Sequence, residues 1–141
     1  MNLTQILLVA TFMVSPLAVG GTQTCRRADA DRAQQAVDQL ATWNAVSLAR
    51  QQYTHCDDGS IAEGFSEAIA RLLVDRWSAL PELAQAVQKD PPLQAFVVRH
   101  LNSTLDTGDL ESIARQAAQA CPRGQAPLYR QLRAAANDAL K

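Results

Sequence analysis

The sequence is poor in aromatic residues, in histidine and in charge of one sign. Only 5% of its 141 residues are aromatic, two are histidines, and the formal net charge is −1. This balance argues against a nucleic-acid-binding protein, which usually carries a basic face, and gives no reason to expect attraction to anionic membranes. Alanine is abundant, whereas valine and isoleucine are sparse beyond the N-terminal stretch, so the composition favours helix over sheet.

The first twenty residues contain no charged side chain. An apolar run is followed by a proline and then by small residues at Ala18 and Gly20, which is the layout of a secretory signal. The run is shorter than the roughly 20 residues that a membrane span needs. We therefore expect residues 1–20 to be a signal peptide that is cleaved after Gly20, with a retained N-terminal anchor as the alternative. The mature chain, residues 21–141, is then a single helical domain that is periplasmic or secreted.

Three cysteines, Cys25, Cys56 and Cys121, remain after cleavage. In an oxidising compartment, one disulfide and one spare thiol is the simplest arrangement. Cys121 closes an apolar helical stripe, so it should face the core and meet a cysteine at the start of another helix. We expect a Cys56–Cys121 disulfide, with Cys25–Cys121 as the alternative. The expected pairing leaves Cys25 free near the N terminus, where it could link two chains into a homodimer.

The spacing of apolar residues predicts an all-α fold, an irregular bundle of five or six helices stapled by one disulfide. No glycine or proline interrupts residues 26–52, so one long helix is expected there. The next helix starts near Asp58 or Ser60. In a capping box, Ser60 and Glu63 would satisfy each other's backbone donors at this start.

Individual glycine, proline and aspartate residues indicate where the later helices begin and where one of them is closely approached. Gly64 lies inside the second helix at a cost of about 1 kcal/mol relative to alanine, so another backbone is expected to pass close there. Pro81 fits the first turn of a short helix. Asp90 is expected to cap the helix that follows, and the turn at residues 106–109 to cap the next one.

The stretch from His55 to Glu67 holds the densest cluster of groups that could do chemistry. Asp57, Asp58, Glu63 and Glu67 place negative charge near a helix start, where the helix dipole stabilises it. Helix capping alone could explain these residues. If they are exposed, they form, together with His55, an acidic binding patch that could steer a basic partner.

Metal sites and catalysis receive less support from the same stretch. When Gly59 is aligned with the invariant glycine of a calcium loop, the twelfth position falls on Phe65 instead of a bidentate glutamate, so an EF-hand is excluded. The histidines lack paired zinc-ligand spacing, and we expect no metal and no cofactor. Glu63 and Glu67 could serve a small hydrolase, but carboxylates four residues apart on one helix more often form a solvated face. We assign no catalytic residue and do not expect an enzyme.

A resemblance to known proteins is carried by residues 56–66, CDDGSIAEGFS. This segment resembles a pattern of small exported bacterial proteins of unknown function, and the similarity continues to Trp77 and returns near Cys121. As a small exported helical domain with one disulfide, the chain is also similar in class to the periplasmic immunity proteins that neutralise secreted toxins. No shared motif supports this second resemblance.

The sequence thus predicts a small exported, non-enzymatic binding protein, of the toxin-neutralising (immunity) or inhibitor kind. Its expected partner is another protein, with no nucleic acid and, after cleavage, no membrane. The alternative is a structural or accessory envelope protein that self-associates through an apolar face. A small hydrolase that uses Glu63 and Glu67 is the third hypothesis.

Overall fold

The structure, a computed structural model, describes residues 22–119 and 121–141. The predicted signal peptide, residues 1–20, lies outside the described residues. The described part of the chain folds into seven α-helices, one more than the upper number predicted, and the all-α prediction is confirmed. They are α1 (Arg27–Val37), α2 (Trp43–Tyr53), α3 (Gly59–Asp75), α4 (Leu80–Lys89), α5 (Pro92–Arg99), α6 (Thr107–Ala117) and α7 (Ala126–Ala139). Single 3-10 turns at Thr54–Cys56 and Trp77–Ala79 flank α3.

Helix α3 is the centre of the bundle and packs against α1, α2 and α6. Phe65, Ile69 and Leu73 follow each other at four-residue intervals and are fully buried, which is the apolar stripe expected of a core helix. The ring of Phe65 meets that of Phe96 edge to face, with 5.0 Å between the centroids. This aromatic pair connects α3 to α5.

The prediction of one long helix over residues 26–52 is wrong, because the helix is interrupted between α1 and α2. Thr42 caps α2, and its Oγ1 accepts a hydrogen bond of 3.1 Å from the backbone N–H of Ala45. Arg76, at the end of α3, donates to the carbonyl oxygen of Ala41 at 2.7 Å. A local cap and a tertiary donor therefore satisfy backbone groups that a continuous helix would have paired internally.

Gly64 is closely approached, as predicted, but by a side chain and not by the backbone that was expected. The neighbour is a side chain of α1, since a β-carbon placed on Gly64 would lie 2.7 Å from Cγ2 of Val37. Real β-carbons essentially never come that close to another heavy atom. The missing side chain is what lets α1 and α3 approach each other.

The capping box predicted from Ser60 and Glu63 does not form. Asp58 is the N-cap of α3 instead, and its Oδ1 accepts from the backbone N–H of Gly59 at 2.8 Å. Gly59 has a φ of +51°, a left-handed conformation that glycine adopts without strain. The hydroxyl of Ser60 is engaged elsewhere, donating to Oε1 of Gln34 on α1 at 3.1 Å.

Asp90 does not cap α5 through its side chain, contrary to the prediction. Its carboxylate accepts from Arg50 Nη2 at 2.6 Å and from Ser47 Oγ at 3.1 Å, both on α2. Burial alone would raise the pKa of Asp90, but the hydrogen bonds from Arg50, Ser47 and Gln51 lower it below its usual value. This carboxylate therefore ties the α4–α5 junction to α2. The turn before α6 behaves as predicted, with Asp106 accepting from the backbone N–H of Gly108 at 2.8 Å.

The single disulfide joins Cys25 to Cys56, so the predicted Cys56–Cys121 pairing and its Cys25–Cys121 alternative are both wrong. Helix α1 packs against the turn Thr54–Cys56, which brings Cys25, two residues before α1, to 4.9 Å from Cys56, Cα to Cα. Cys121 is the free cysteine and lies half-buried after α6, which ends before reaching it. Cys25 is consequently not available to link two chains.

Candidate functional site

Asp57 follows the disulfide-bonded turn and is turned toward α5, away from solvent. Its side chain is 6% exposed. One oxygen, Oδ2, pairs with the guanidinium of Arg99 and lies 3.3 Å from Nε2 of His100. The other oxygen, Oδ1, is buried and has no hydrogen-bond partner among the described residues. Nearly all buried polar atoms in folded proteins have a hydrogen-bond partner, so an unpaired Oδ1 is unusual.

His100 lies between Asp57 and a serine on α3. Its Nδ1 is 2.9 Å from Oγ of Ser66, and both residues are almost fully buried. Asn102 Nδ2 donates to the same Oγ at 3.3 Å. A neutral ring with its proton on Nε2 satisfies this arrangement, because Nε2 then donates to Asp57 while Nδ1 accepts from the Ser66 hydroxyl.

Burial lowers the pKa of His100 below its usual value of 6.5, and the positive charge of Arg99 acts in the same direction. The Asp57 carboxylate opposes this shift by its charge and its hydrogen bond. The balance favours the neutral imidazole at physiological pH. With His100 neutral, the positive charge next to the Asp57 carboxylate is that of Arg99, whose side chain is 58% exposed.

A hollow of about 240 Å³ opens beside these groups, which we call the Asp57 hollow. Its walls come from the residue after the 3-10 turn, the first half of α3, and the end of α5 with the segment that follows it. Glu63 and Thr104 are exposed and lie at its rim. The lining residues are Asp57, Ala62, Glu63, Ser66, Arg99, His100, Asn102 and Thr104.

The structure divides the predicted acidic patch among different environments. Glu63 reaches the Asp57 hollow, and Asp58 is exposed at the cap of α3. Glu67 faces another hollow beside α1 and forms an ion pair of 3.2 Å with Arg71. His55 turns toward α1, where its Nε2 lies 3.8 Å from a carboxylate oxygen of Asp29. Of the five predicted residues, only Asp57 and Glu63 line the same hollow.

The order serine, histidine, aspartate is that of a nucleophilic triad. Ser66, however, is 2% exposed and lies inside α3, where backbone N–H groups are committed to helical hydrogen bonds and cannot form an oxyanion hole. The arrangement is better suited to holding Asp57 and His100 in place than to attacking a substrate. Within the described part of the chain, no group of three or more metal-ligating side chains converges.

Sequence reasoning missed Ser66, Arg99, His100 and Asn102. A signal for His100 was present, because it continues the apolar stripe of α5 at the spacing of a buried position. Ser66 likewise sits beside Phe65 on the inward face of α3. A polar residue at such a position implies a buried partner, but the spacing along the chain does not identify that partner.

Comparison with known proteins identifies no relative. No protein-family model matches the chain, and no curated protein or solved structure matches it. The resemblances seen in the sequence therefore stay predictions.

Proposed function

We propose that this protein is an exported, non-enzymatic binding protein that recognises another protein through the Asp57 hollow and the exposed start of α3 beside it. The observation that carries the proposal is the open hollow of about 240 Å³, which is lined by three charged residues, Asp57, Glu63 and Arg99. Side chains that are already held in place bind a complementary surface at low ordering cost. Inhibition or toxin neutralisation is the activity that such a binder would have in the periplasm.

Rigidity of the site supports recognition over chemistry. The Cys25–Cys56 disulfide fixes the turn that ends at Asp57, and the hydrogen bonds among His100, Ser66 and Asn102 fix the wall opposite. Preorganised groups of this kind discriminate between partners without having to react with them.

The disulfide also supports export, because disulfides persist in oxidising compartments. Together with the uncharged apolar N-terminal stretch, it makes the periplasm the proposed location. None of the helices in the described ranges is long and apolar enough to cross a membrane.

The hydrolase hypothesis gains little from the geometry. Glu63 and Glu67 are both exposed on α3 and line two different hollows, so they do not face each other across a shared cleft. General acid and base carboxylates flank a scissile bond from opposite sides. The pair therefore lacks the arrangement that glycoside hydrolysis needs.

Binding can be tested with the purified, oxidised protein immobilised as bait for a cell-envelope extract. A captured protein is identified, purified and titrated against wild type and against Glu63→Lys. Glu82→Lys is the matched control, since Glu82 is an exposed glutamate on α4. We expect a stoichiometric complex that Glu63→Lys weakens and Glu82→Lys does not. An envelope enzyme or toxin among the captured proteins should lose its activity in the complex.

Two outcomes would contradict the proposal. If light scattering shows a stable dimer of this chain that is insensitive to Glu63→Lys, and no other protein binds, the accessory envelope hypothesis is favoured instead. If every captured protein binds wild type and Glu63→Lys equally, the Asp57 hollow is not the recognition surface.

A further inference from the structure

A second hollow, of about 330 Å³, lies where α4 and α5 meet the turn before α7, and we call it the Arg123 hollow. It shares no lining residue with the Asp57 hollow. Its volume falls at the lower end of the roughly 300–1,000 Å³ of typical ligand pockets, so it has room for a small ligand or for the end of a peptide.

The charge of the Arg123 hollow has one sign. Among the described residues that line it, Arg123 carries the only charge, and none is acidic. Arg123 is exposed and takes part in none of the ion pairs within residues 22–119 and 121–141. A guanidinium presents paired donors that match the two oxygens of a carboxylate. A carboxylate is therefore the ligand group that complements this hollow.

Four glutamines, Gln85, Gln88, Gln94 and Gln125, line the same hollow. Oε1 of Gln125 is buried, which leaves the other three amides to face a ligand. No side-chain hydrogen bond within the described part of the chain engages these three. A side-chain amide both donates and accepts, as a peptide group does, so the glutamines can pair with the backbone of a peptide.

The remaining wall is largely apolar. Pro81 and Val87 of α4 and Leu128 of α7 contribute to it. A ligand for the whole hollow combines a carboxylate, a peptide group and an apolar side chain. In a peptide of ordinary amino acids, a single residue combines all three only at the C terminus.

We propose that the Arg123 hollow binds the C-terminal residue of a peptide, whose carboxylate pairs with the guanidinium of Arg123. The peptide group of that residue bonds to the glutamine amides, and its apolar side chain packs against Pro81 and Leu128. Capture of a terminal carboxylate by converging donors is a recurring mode of peptide recognition. This second recognition site goes beyond the proposed function, because it does not involve the Asp57 hollow.

The test titrates four peptides into the oxidised protein and follows the side-chain amide signals of the glutamines by NMR. They are acetyl-Gly-Gly-Leu with a free carboxylate, the same peptide as its C-terminal amide, acetyl-Gly-Gly-Gly with a free carboxylate, and acetyl-Asp-Gly-Leu-amide. We expect the first to bind roughly tenfold more tightly than its amide, because the charged contact is lost. It should exceed the glycine peptide roughly fivefold through the buried leucine. Acetyl-Asp-Gly-Leu-amide carries its charge on a side chain and should bind as weakly as the uncharged amide.

Variants at exposed positions locate the binding. Arg123→Glu should abolish the preference for the free carboxylate. Arg133→Glu is the matched control, since Arg133 is exposed on α7 and does not line the hollow, and it should keep that preference. Gln88→Trp fills the hollow from α4 without changing charge and should weaken binding of the free-carboxylate leucine peptide at least fivefold.

The inference is overturned if acetyl-Gly-Gly-Leu binds no more tightly than its amide, or if Arg123→Glu and Arg133→Glu have equal effects. Equal binding of acetyl-Asp-Gly-Leu-amide would overturn the C-terminal assignment and show that any peptide carboxylate suffices. Glu63→Lys should leave peptide binding unchanged. Failure of the peptide test would therefore leave the binding partner of the Asp57 hollow untouched, and a failed partner capture would leave the peptide site standing.

Discussion

Cys25 is bonded to Cys56, and Asp57 is the next residue in the chain. The link therefore fixes the segment before α1 to the turn that delivers the buried carboxylate into the site. The turn Thr54–Cys56 is only three residues long. The disulfide therefore holds it in place, whereas a longer helix is held by its own backbone hydrogen bonds. The position of the candidate site thus depends on a covalent contact between two segments that are separated by 31 residues in sequence.

Reduction of the disulfide should destabilise the protein by about 3 to 4 kcal/mol, because a loop of this length restricts the unfolded chain by that amount in the chain-entropy model. Urea denaturation with and without reductant measures the difference. Cys25→Ala/Cys56→Ala should reproduce the reduced protein, whereas Cys121→Ala should match the oxidised wild type. Non-reducing peptide mapping that joins Cys56 to Cys121 would contradict the structure directly.

Gly64→Ala should destabilise the protein by about 1 kcal/mol. The alanine gains about 1 kcal/mol of helix propensity, but its methyl group overlaps Val37, and overpacking of this kind typically costs about 1 to 3 kcal/mol. In a Val37→Ala background the closest remaining atom is Cβ of residue 37 at 3.1 Å, so the overlap is relieved in part and Gly64→Ala should cost less than it does in the wild type. The double-mutant cycle measured by urea denaturation tests this coupling. Gly64→Ala that stabilises the wild type would show that α1 moves away without cost.

Asp90→Ala should cost about 2 kcal/mol, because it leaves the largely buried guanidinium of Arg50 without its carboxylate. The side chains of Asp90 and Arg50 are only 12% and 15% exposed. Asp138→Ala is the matched control. Asp138 pairs with Lys141 at 2.6 Å, but both side chains are more than two-thirds exposed, and its loss should cost less than about 0.5 kcal/mol. Equal effects in thermal unfolding would contradict the structural role of Asp90.

Stability should fall as the pH is lowered from about 6.5, the ordinary pKa of histidine, toward the lower pKa of folded His100. In this window the unfolded chain binds a proton that the folded chain does not, so protonation favours unfolding. The stability that neutral His100 contributes is fully present above pH 6.5. His100→Gln removes the titrating group and should flatten the slope. A slope unchanged in His100→Gln would assign the pH dependence to other groups.

Ser66→Ala should destabilise the protein by about 1 to 2 kcal/mol, because Asn102 and Nδ1 of His100 both lose a buried partner. A fluorophosphonate probe should leave the wild type unlabelled, since Ser66 is buried within α3. Labelling that Ser66→Ala removes would show a reactive serine and contradict the non-enzymatic proposal. Ser103→Ala, at an exposed position between Asn102 and Thr104, serves as a control that should leave stability nearly unchanged.

Periodicity was sufficient to predict the helical class. Phe65, Ile69 and Leu73 recur at the helical period, and a helix must bury such a stripe whatever its neighbours are. The cap at Asp106 was also predictable, because it uses backbone groups a few residues away. Local interactions of this kind are encoded within one or two turns of chain.

Only the tertiary structure decided the features that depend on which helices meet. It set the break between α1 and α2, the pairing of Cys25 with Cys56, and the engagement of Asp90 by α2. The site also depends on which helices meet. Asp57 and His100 are separated by 43 residues and come together where α5 packs beside the turn before α3. The sequence determined which residues carry charge near the start of α3. Long-range packing determined that Asp57 is buried with one oxygen unpaired, because neither burial nor partner choice is encoded in local spacing.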